Sequence, residues 1–178
     1  MQYHFEAYGP FVVDFDEGYD WVPGKIWWSG VDENYDGVSS AIGCYAFASG
    51  GANPIPWYVG KCENSKGFKN EVFATHKVAH FRAMASQCSG PYHIYLFPLI
   101  SGEFDSDWIY ATGKSAKQVI AWLETSLIAM AYARNPELLN WAHTRFLRSA
   151  RVRGLMDHNL DGAHDEARMA RKTFLGRG

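Results

Sequence analysis

Residues 92–100 read Tyr-His-Ile-Tyr-Leu-Phe-Pro-Leu-Ile, apolar at odd and even positions alike. Successive strand side chains point to opposite faces, so a strand apolar on both must be covered on both. The segment therefore predicts a central strand, with residues 108–112 as a candidate edge partner. Two further strands precede it. Residues 41–48 are small and apolar and run into Ser49-Gly50-Gly51-Ala52-Asn53-Pro54, and residues 56–61 follow, which is a hairpin pattern.

Between hairpin and central strand the period changes. From Phe68 onward, Phe73, His76, His80, Ala83 and Met84 fall on one helical face, and Ser89-Gly90-Pro91 stops the run. A second helix is predicted over 116–133, opened by Ser115 and Gln118 in capping-box spacing and ended by Asn135-Pro136. Residues 1–40 carry aromatics, Gly and Asp without sustained helical periodicity and predict short strands and turns on a core. The tail predicts an extended piece around Val152 and a helix over 161–174. The expectation is one α+β domain over 41–140, with extensions at 1–40 and 141–178, because 178 residues suit one sizeable core.

Composition excludes several classes. A chain 47% hydrophobic can bury enough surface to offset its ordering entropy, so a disordered chain is not expected. No run of about eighteen apolar residues and no basic-then-apolar leader occur, so a soluble cytoplasmic protein without membrane contact is expected. Cys44, Cys62 and Cys88 are odd in number and widely spaced, which suits free thiols better than a disulfide framework or zinc knuckle. Charge is uneven. Residues 1–41 hold eight acids, Glu6, Asp14, Asp16, Glu17, Asp20, Asp32, Glu33 and Asp36, against Lys25. From 141 onward Arg145, Arg148, Arg151, Arg153, Arg168, Arg171, Lys172 and Arg177 outnumber four acids, so a polyanion would favour this end and avoid the other.

One carboxylate stands out. Ile120, Leu123, Leu127, Ile128 and Ala131 form the apolar stripe of the second helix, and Glu124 lies inside it. An unpaired buried charge is costly, so Glu124 predicts a cation beside it, either a metal ion or a Lys or Arg; a helix-edge glutamate with its head in water is the plainer alternative. On the first helix His76 and His80 stand four apart on one face, which is metal-ligand spacing, although the intervening Lys77-Val78-Ala79 lacks the glutamate of a zinc hydrolase helix. A zinc site of His76, His80 and a cysteine is the least favoured expectation, and ordinary hydrogen-bonded histidines the commoner outcome. Lys69, Lys77 and Arg82 add donors suited to phosphate. Tyr45 and Tyr58 on the hairpin strands are, taken singly, more often packing residues than catalytic ones.

Their order is more specific than any one of them. Gly43-Cys44-Tyr45 on one strand, Trp57-Tyr58-Val59-Gly60-Lys61 on the next, a helix with Phe73, His76, His80 and Phe81, then Leu123-Glu124 and Asn135-Pro136-Glu137-Leu138-Leu139-Asn140 resemble the GIY-YIG nuclease superfamily over residues 42–140. The resemblance implies a small three-stranded antiparallel sheet flanked by helices. It also implies a cleft in which Tyr45, Tyr58, a basic residue of the first helix and Glu124 meet, with Asn140 among the site residues and Glu124 holding Mg²⁺ or Mn²⁺. The implied activity is hydrolysis of phosphodiester bonds in nucleic acid, DNA before RNA, and the runner-up is a catalytically lapsed module of the same fold that binds nucleic acid or protein. Where the best-known members carry an arginine four residues before the histidine, this chain has His76. Phe68-Lys69-Asn70-Glu71-Val72-Phe73 with His76-Lys77 is similar to a branch with the pattern F-x-x-E-x-F-x-x-H-K, in which Lys77 or Lys61 would supply the fixed charge.

Overall fold

The computed structural model describes residues 3–15, 24–102, 109–111, 114–149 and 164–175. Elements of the chain run β1 (Tyr3–Phe5), β2 (Tyr8–Val13), α1 (Lys25–Asn34), β3 (Gly43–Ser49), β4 (Ile55–Cys62), α2 (Phe68–Glu71), α3 (Thr75–Ala85), β5 (Tyr92–Ser101), β6 (Ile109–Tyr110), α4 (Lys114–Arg134), α5 (Trp141–Ser149) and α6 (Asp165–Leu175). The fold is α+β, built on an antiparallel sheet.

β5 is the central strand that its double-sided apolarity predicts. On one side it pairs with β3 from Gly43↔Pro98 to Ser49↔Tyr92, and β3 pairs in turn with β4. It also pairs with β2 at Tyr8↔Leu96 to Val13↔Tyr92, with β1 at Tyr3↔Ser101 and with β6 at Ile100↔Tyr110. The expected three-stranded sheet is thus corrected to six strands among the described residues. The reason is physical: an apolar strand left open on one edge would expose a row of backbone donors and acceptors, and the N-terminal segment fills it.

The alternation of β3 and β4 decides what each helix covers. Tyr45, Phe47, Tyr58 and Gly60 share one face, where Phe47 meets Phe81 of α3 and the ring of Tyr58 stacks on His80. Cys44, Ala46, Val59 and Lys61 share the other, where the Cys44 thiol donates to the Ile120 carbonyl and Ala46 and Val59 pack with Ile128 and Ala131 of α4. α3 and α4 therefore lie on opposite faces of the sheet. The acidic N-terminal segment continues the α3 face: Trp27 and Trp28 of α1 meet Phe73, Phe15 meets Phe81, and Tyr8 stacks on Tyr35 at 4.1 Å. It is part of the core, not an appendage, and α1 is a helix where only strands and turns were expected.

β4 is the outer strand, and its free edge is closed by residues 135–140. The Asn135 side-chain amide donates to the Pro56 carbonyl and the Leu139 N–H to that of Trp57. Asn140 then takes both ends of one peptide pairing, its Oδ1 accepting from the Val59 N–H at 2.8 Å and its Nδ2 donating to the Val59 carbonyl at 2.6 Å. A polar loop thereby stands in for a missing strand.

Several local expectations change. The first helix is broken into α2 and α3 around residues 72–74, and its buried face is Val78, Phe81, Met84 and Ala85. Ser115 lies inside α4, bonded to the Tyr3 hydroxyl at 2.8 Å, so it caps nothing. α5 was not expected, while α6 falls within the helix foreseen over 161–174 plus one residue. Val152, Trp108 and Thr112 lie outside the described residues.

Gly60 is fixed by the ring of Tyr45, which lies where a Cβ would stand. Gly60→Ala should therefore destabilise the fold by about 1–3 kcal/mol through overpacking against a fully buried ring, measured by denaturant unfolding; unchanged stability would show that Tyr45 can move aside.

Candidate active site

Because β4 ends the sheet, side chains from both faces reach its edge, and beyond Val59 they open into a cleft of about 650 Å³. The α3 side contributes Tyr58, Lys77, His80 and Glu71, and the α4 side Glu124 with Lys61 and Glu63. Leu139, Asn140, Trp141 and His143 form the outer wall. Among the described residues none before Tyr58 lines it.

Lys77 Nζ donates to the Tyr58 hydroxyl at 2.9 Å, with Glu71 Oε1 at 3.9 Å on its other side. The His80 ring lies flat on Tyr58, centroids 4.4 Å apart and planes 13° from parallel. Burial, together with the nearby charges of Lys77 and His76, holds the His80 imidazole below its ordinary pKa, so it is neutral at neutral pH. His80 and Lys77 are brought to the site because α3 presents them toward β4, whereas His76 points outward, exposed, and does not line the cleft. The expectation that His76 and His80 share one working face is corrected: the helix turns about the Val78–Phe81 side, and only His80 reaches the edge.

Glu124 is only 8% exposed, as its place in the apolar stripe requires. Its cation is Lys61, 3.5 Å away, which also meets Glu63 at 3.2 Å. Burial draws the Lys61 ammonium down, but bonding to Glu63 and the charge of Glu124 outweigh it and hold its pKa above the ordinary value. Glu124 thus neither faces open water nor stands uncompensated.

Tyr45 does not line the cleft. It is fully buried beneath Gly60 with its ring centroid 6.2 Å from that of Tyr58, and its hydroxyl has no hydrogen-bond partner. Burial, then the neighbouring Tyr58 phenol, push its pKa far above the ordinary tyrosine value, so Tyr45 stays neutral. Asn140 lines the wall, but both ends of its amide are committed to Val59, which gives it a positioning role. The structure adds Glu63, Glu71, Trp141 and His143. Glu63 was legible as the acid two residues after Lys61, and Glu71 as the acid of the helix pattern; nothing in the sequence alone singled out Trp141 or His143.

None of the three cysteines is in a disulfide, and each thiol donates to a carbonyl, Cys44 to Ile120, Cys62 to Asn64 and Cys88 to Met84. Among the described residues no three His, Cys, Asp or Glu side chains cluster as a ready metal cage. A Mg²⁺-like ion needs no such cage: it is commonly held by one or two carboxylates, with water and substrate phosphate completing the shell. Glu124, an oxygen donor at the wall of the cleft, fits that demand. No helix of the described residues is long and apolar enough to cross a membrane. No family model, curated protein or solved structure matches the chain.

The pH response of His80 has a defined sign. Its folded pKa lies below the unfolded value of about 6.5, so on acidification the unfolded chain takes up the proton first. Its contribution is complete above that value and declines as pH falls from it toward the folded one. His80→Asn should flatten this part of the stability–pH profile, read as urea midpoints between pH 5 and 8; parallel profiles for both proteins would contradict the assignment.

Proposed function

We propose that the cleft at the β4 edge is the active site of a GIY-YIG-type, divalent-metal-dependent endonuclease that hydrolyses phosphodiester bonds of nucleic acid, DNA before RNA, in the cytoplasm. The observation that carries this reading is the convergence of a buried carboxylate, Glu124, and a lysine-bonded phenol, Tyr58, on one cleft from opposite faces of the sheet. Their order along the chain is that of the resemblance.

Glu124 would hold the Mg²⁺ or Mn²⁺ ion, which when bound supplies Lewis-acid charge to the phosphorane. The remaining roles follow from the residues themselves. Lys77 already occupies one lone pair of the Tyr58 oxygen, so the hydroxyl proton of Tyr58 is free to turn into the cleft and orient the attacking water. The two lysines, Lys77 and Lys61, set fixed positive charge where a transferring phosphoryl group gains negative charge, and so take the part of the family's helix arginine that His76 does not fill. Neutral His80 can donate or accept one proton at a phosphate oxygen or at the leaving oxygen. Tyr45 supports from below, by packing under Gly60 against Tyr58.

One observation favours the second reading, a lapsed module that binds nucleic acid or a protein partner: Glu124 already has a cation, Lys61. That reading expects salt-sensitive binding without cutting.

Supercoiled plasmid and a structured RNA, each incubated with the purified chain in Mg²⁺, Mn²⁺ or EDTA, separate the two. Glu124→Ala should lower metal-dependent cutting by about 10²-fold or more, and Tyr58→Phe by a similar factor, while His76→Ala should leave it nearly unchanged. Cutting that survives Glu124→Ala, or no cutting of either substrate by the native chain, would sink the endonuclease reading.

A further inference from the structure

The cleft has a second chemical character. Its floor is charged, but its outer wall carries Trp141, 64% exposed, the one large exposed apolar side chain among the described residues that lines it. The others, such as Ile26 and Trp122, lie elsewhere. Leaving an indole at a polar cleft mouth forgoes the burial that stabilises tryptophan elsewhere in this chain, as at Trp28.

Its mounting is stiff. The Trp141 N–H donates to the Leu139 carbonyl at 2.9 Å, the Leu139 N–H to the Trp57 carbonyl at 2.8 Å, and Asn140 between them grips Val59 at both ends. The Thr144 hydroxyl, fully buried, donates back to the Asn140 carbonyl and ties the first turn of α5 to the same point. The backbone that carries the indole is thus held in fixed relation to Tyr58 and Lys61, on the same strand as Val59.

A nucleotide joins an anionic phosphate to a flat apolar base, and this cleft joins two lysines, each held beside carboxylates of which Glu124 would take a metal ion, to one flat apolar rim. We infer that Trp141 is a stacking platform for an unpaired nucleobase next to the phosphate held by the floor, so that the substrate is single-stranded nucleic acid or an unpaired flank of a duplex. Bases inside a duplex already stack on their neighbours and cannot offer a face, whereas an unpaired base can, and aromatic stacking is tolerant of base identity. The proposal deepens the nuclease reading, since it rests on nucleic acid as the ligand, but it does not depend on hydrolysis.

The test is binding by the full-length chain carrying Glu124→Gln, which prevents turnover, to fluorescein-labelled oligonucleotides: a single strand, the blunt duplex of the same sequence, and the single strand with abasic sites. Adding Trp141→Ala should weaken single-strand binding about five- to hundredfold, the range of one lost stacked base, and shift duplex binding far less. Trp141→Phe should recover most of the affinity, which a merely structural role at the start of α5 would not require. The abasic strand should bind equally well with and without the Trp141→Ala substitution. Equal losses on single strand and duplex, or no loss on the single strand, would overturn the platform. Absence of any nucleic-acid binding would overturn the platform and the nuclease reading together, while tryptophan-dependent single-strand binding, paired with no cutting by the native chain in Mg²⁺ or Mn²⁺, would uphold the platform and leave only hydrolysis refuted.

Discussion

The two hydrogen bonds between the Asn140 amide and the Val59 peptide are the joint on which the site depends. β4 ends the sheet, and an unpaired outer edge would either be solvated or recruit another chain. Asn140 mimics a strand peptide at one position, Leu139 and Asn135 satisfy the carbonyls of Trp57 and Pro56, and the edge is closed up to Val59 and open beyond it. That boundary sets the place of the cleft. It also fixes Tyr58 and Lys61, one on each face, at the point where groups from α3 and α4 can meet without crossing the sheet. The amide is buried, so losing it would leave a buried N–H and C=O without partners, a cost of about 1–3 kcal/mol for each group.

The second constraint is electrostatic. Glu124 is held in an apolar stripe by packing of Ile120, Ile128 and Ala131, and its charge is tolerated because Lys61 stands 3.5 Å away. Lys61 is shared with the more exposed Glu63, and Lys77 is shared between Glu71 and Tyr58. Each cation of the cleft thus serves two partners that line it, one buried and one less so. Such a network holds its charges in place before any ligand arrives, which is the arrangement that stabilises developing charge at least reorganisation.

Much of this is legible in the sequence, and the reasons differ by element. β5 and α4 follow from patterns that are long and unambiguous: apolar on both faces in one, an apolar stripe at helical spacing in the other. Glu124 stands out because a charge inside such a stripe is an energetic anomaly that needs a partner, and the partner is present. α1 escapes a local reading because Lys25–Asn34 carries Trp27, Trp28 and Gly30, residues of weak helical preference, and is held by aromatic contacts to Phe73 that are distant in sequence. The pairing of β1 and β2 with β5 is equally nonlocal, which is why the N-terminal segment resembles an extension in sequence. The face of α3 differs from its periodicity by one step: Phe73 belongs to the preceding turn, so a stripe counted from it rotates His76 inward when only His80 reaches the cleft. Tyr45 keeps its place beside Tyr58, yet its burial follows only from Gly60 lying against its ring.

The central claim is that Glu124 is buried at the cleft wall in order to grip a divalent cation, and direct binding tests it without reference to turnover. Titration of the full chain with Mn²⁺, followed by the loss of the free-ion electron paramagnetic resonance signal, should show one ion per chain, and Glu124→Gln should abolish that site while leaving the fold intact by circular dichroism. Mn²⁺ uptake that is unaffected by Glu124→Gln, or no uptake by the native chain, would contradict the account.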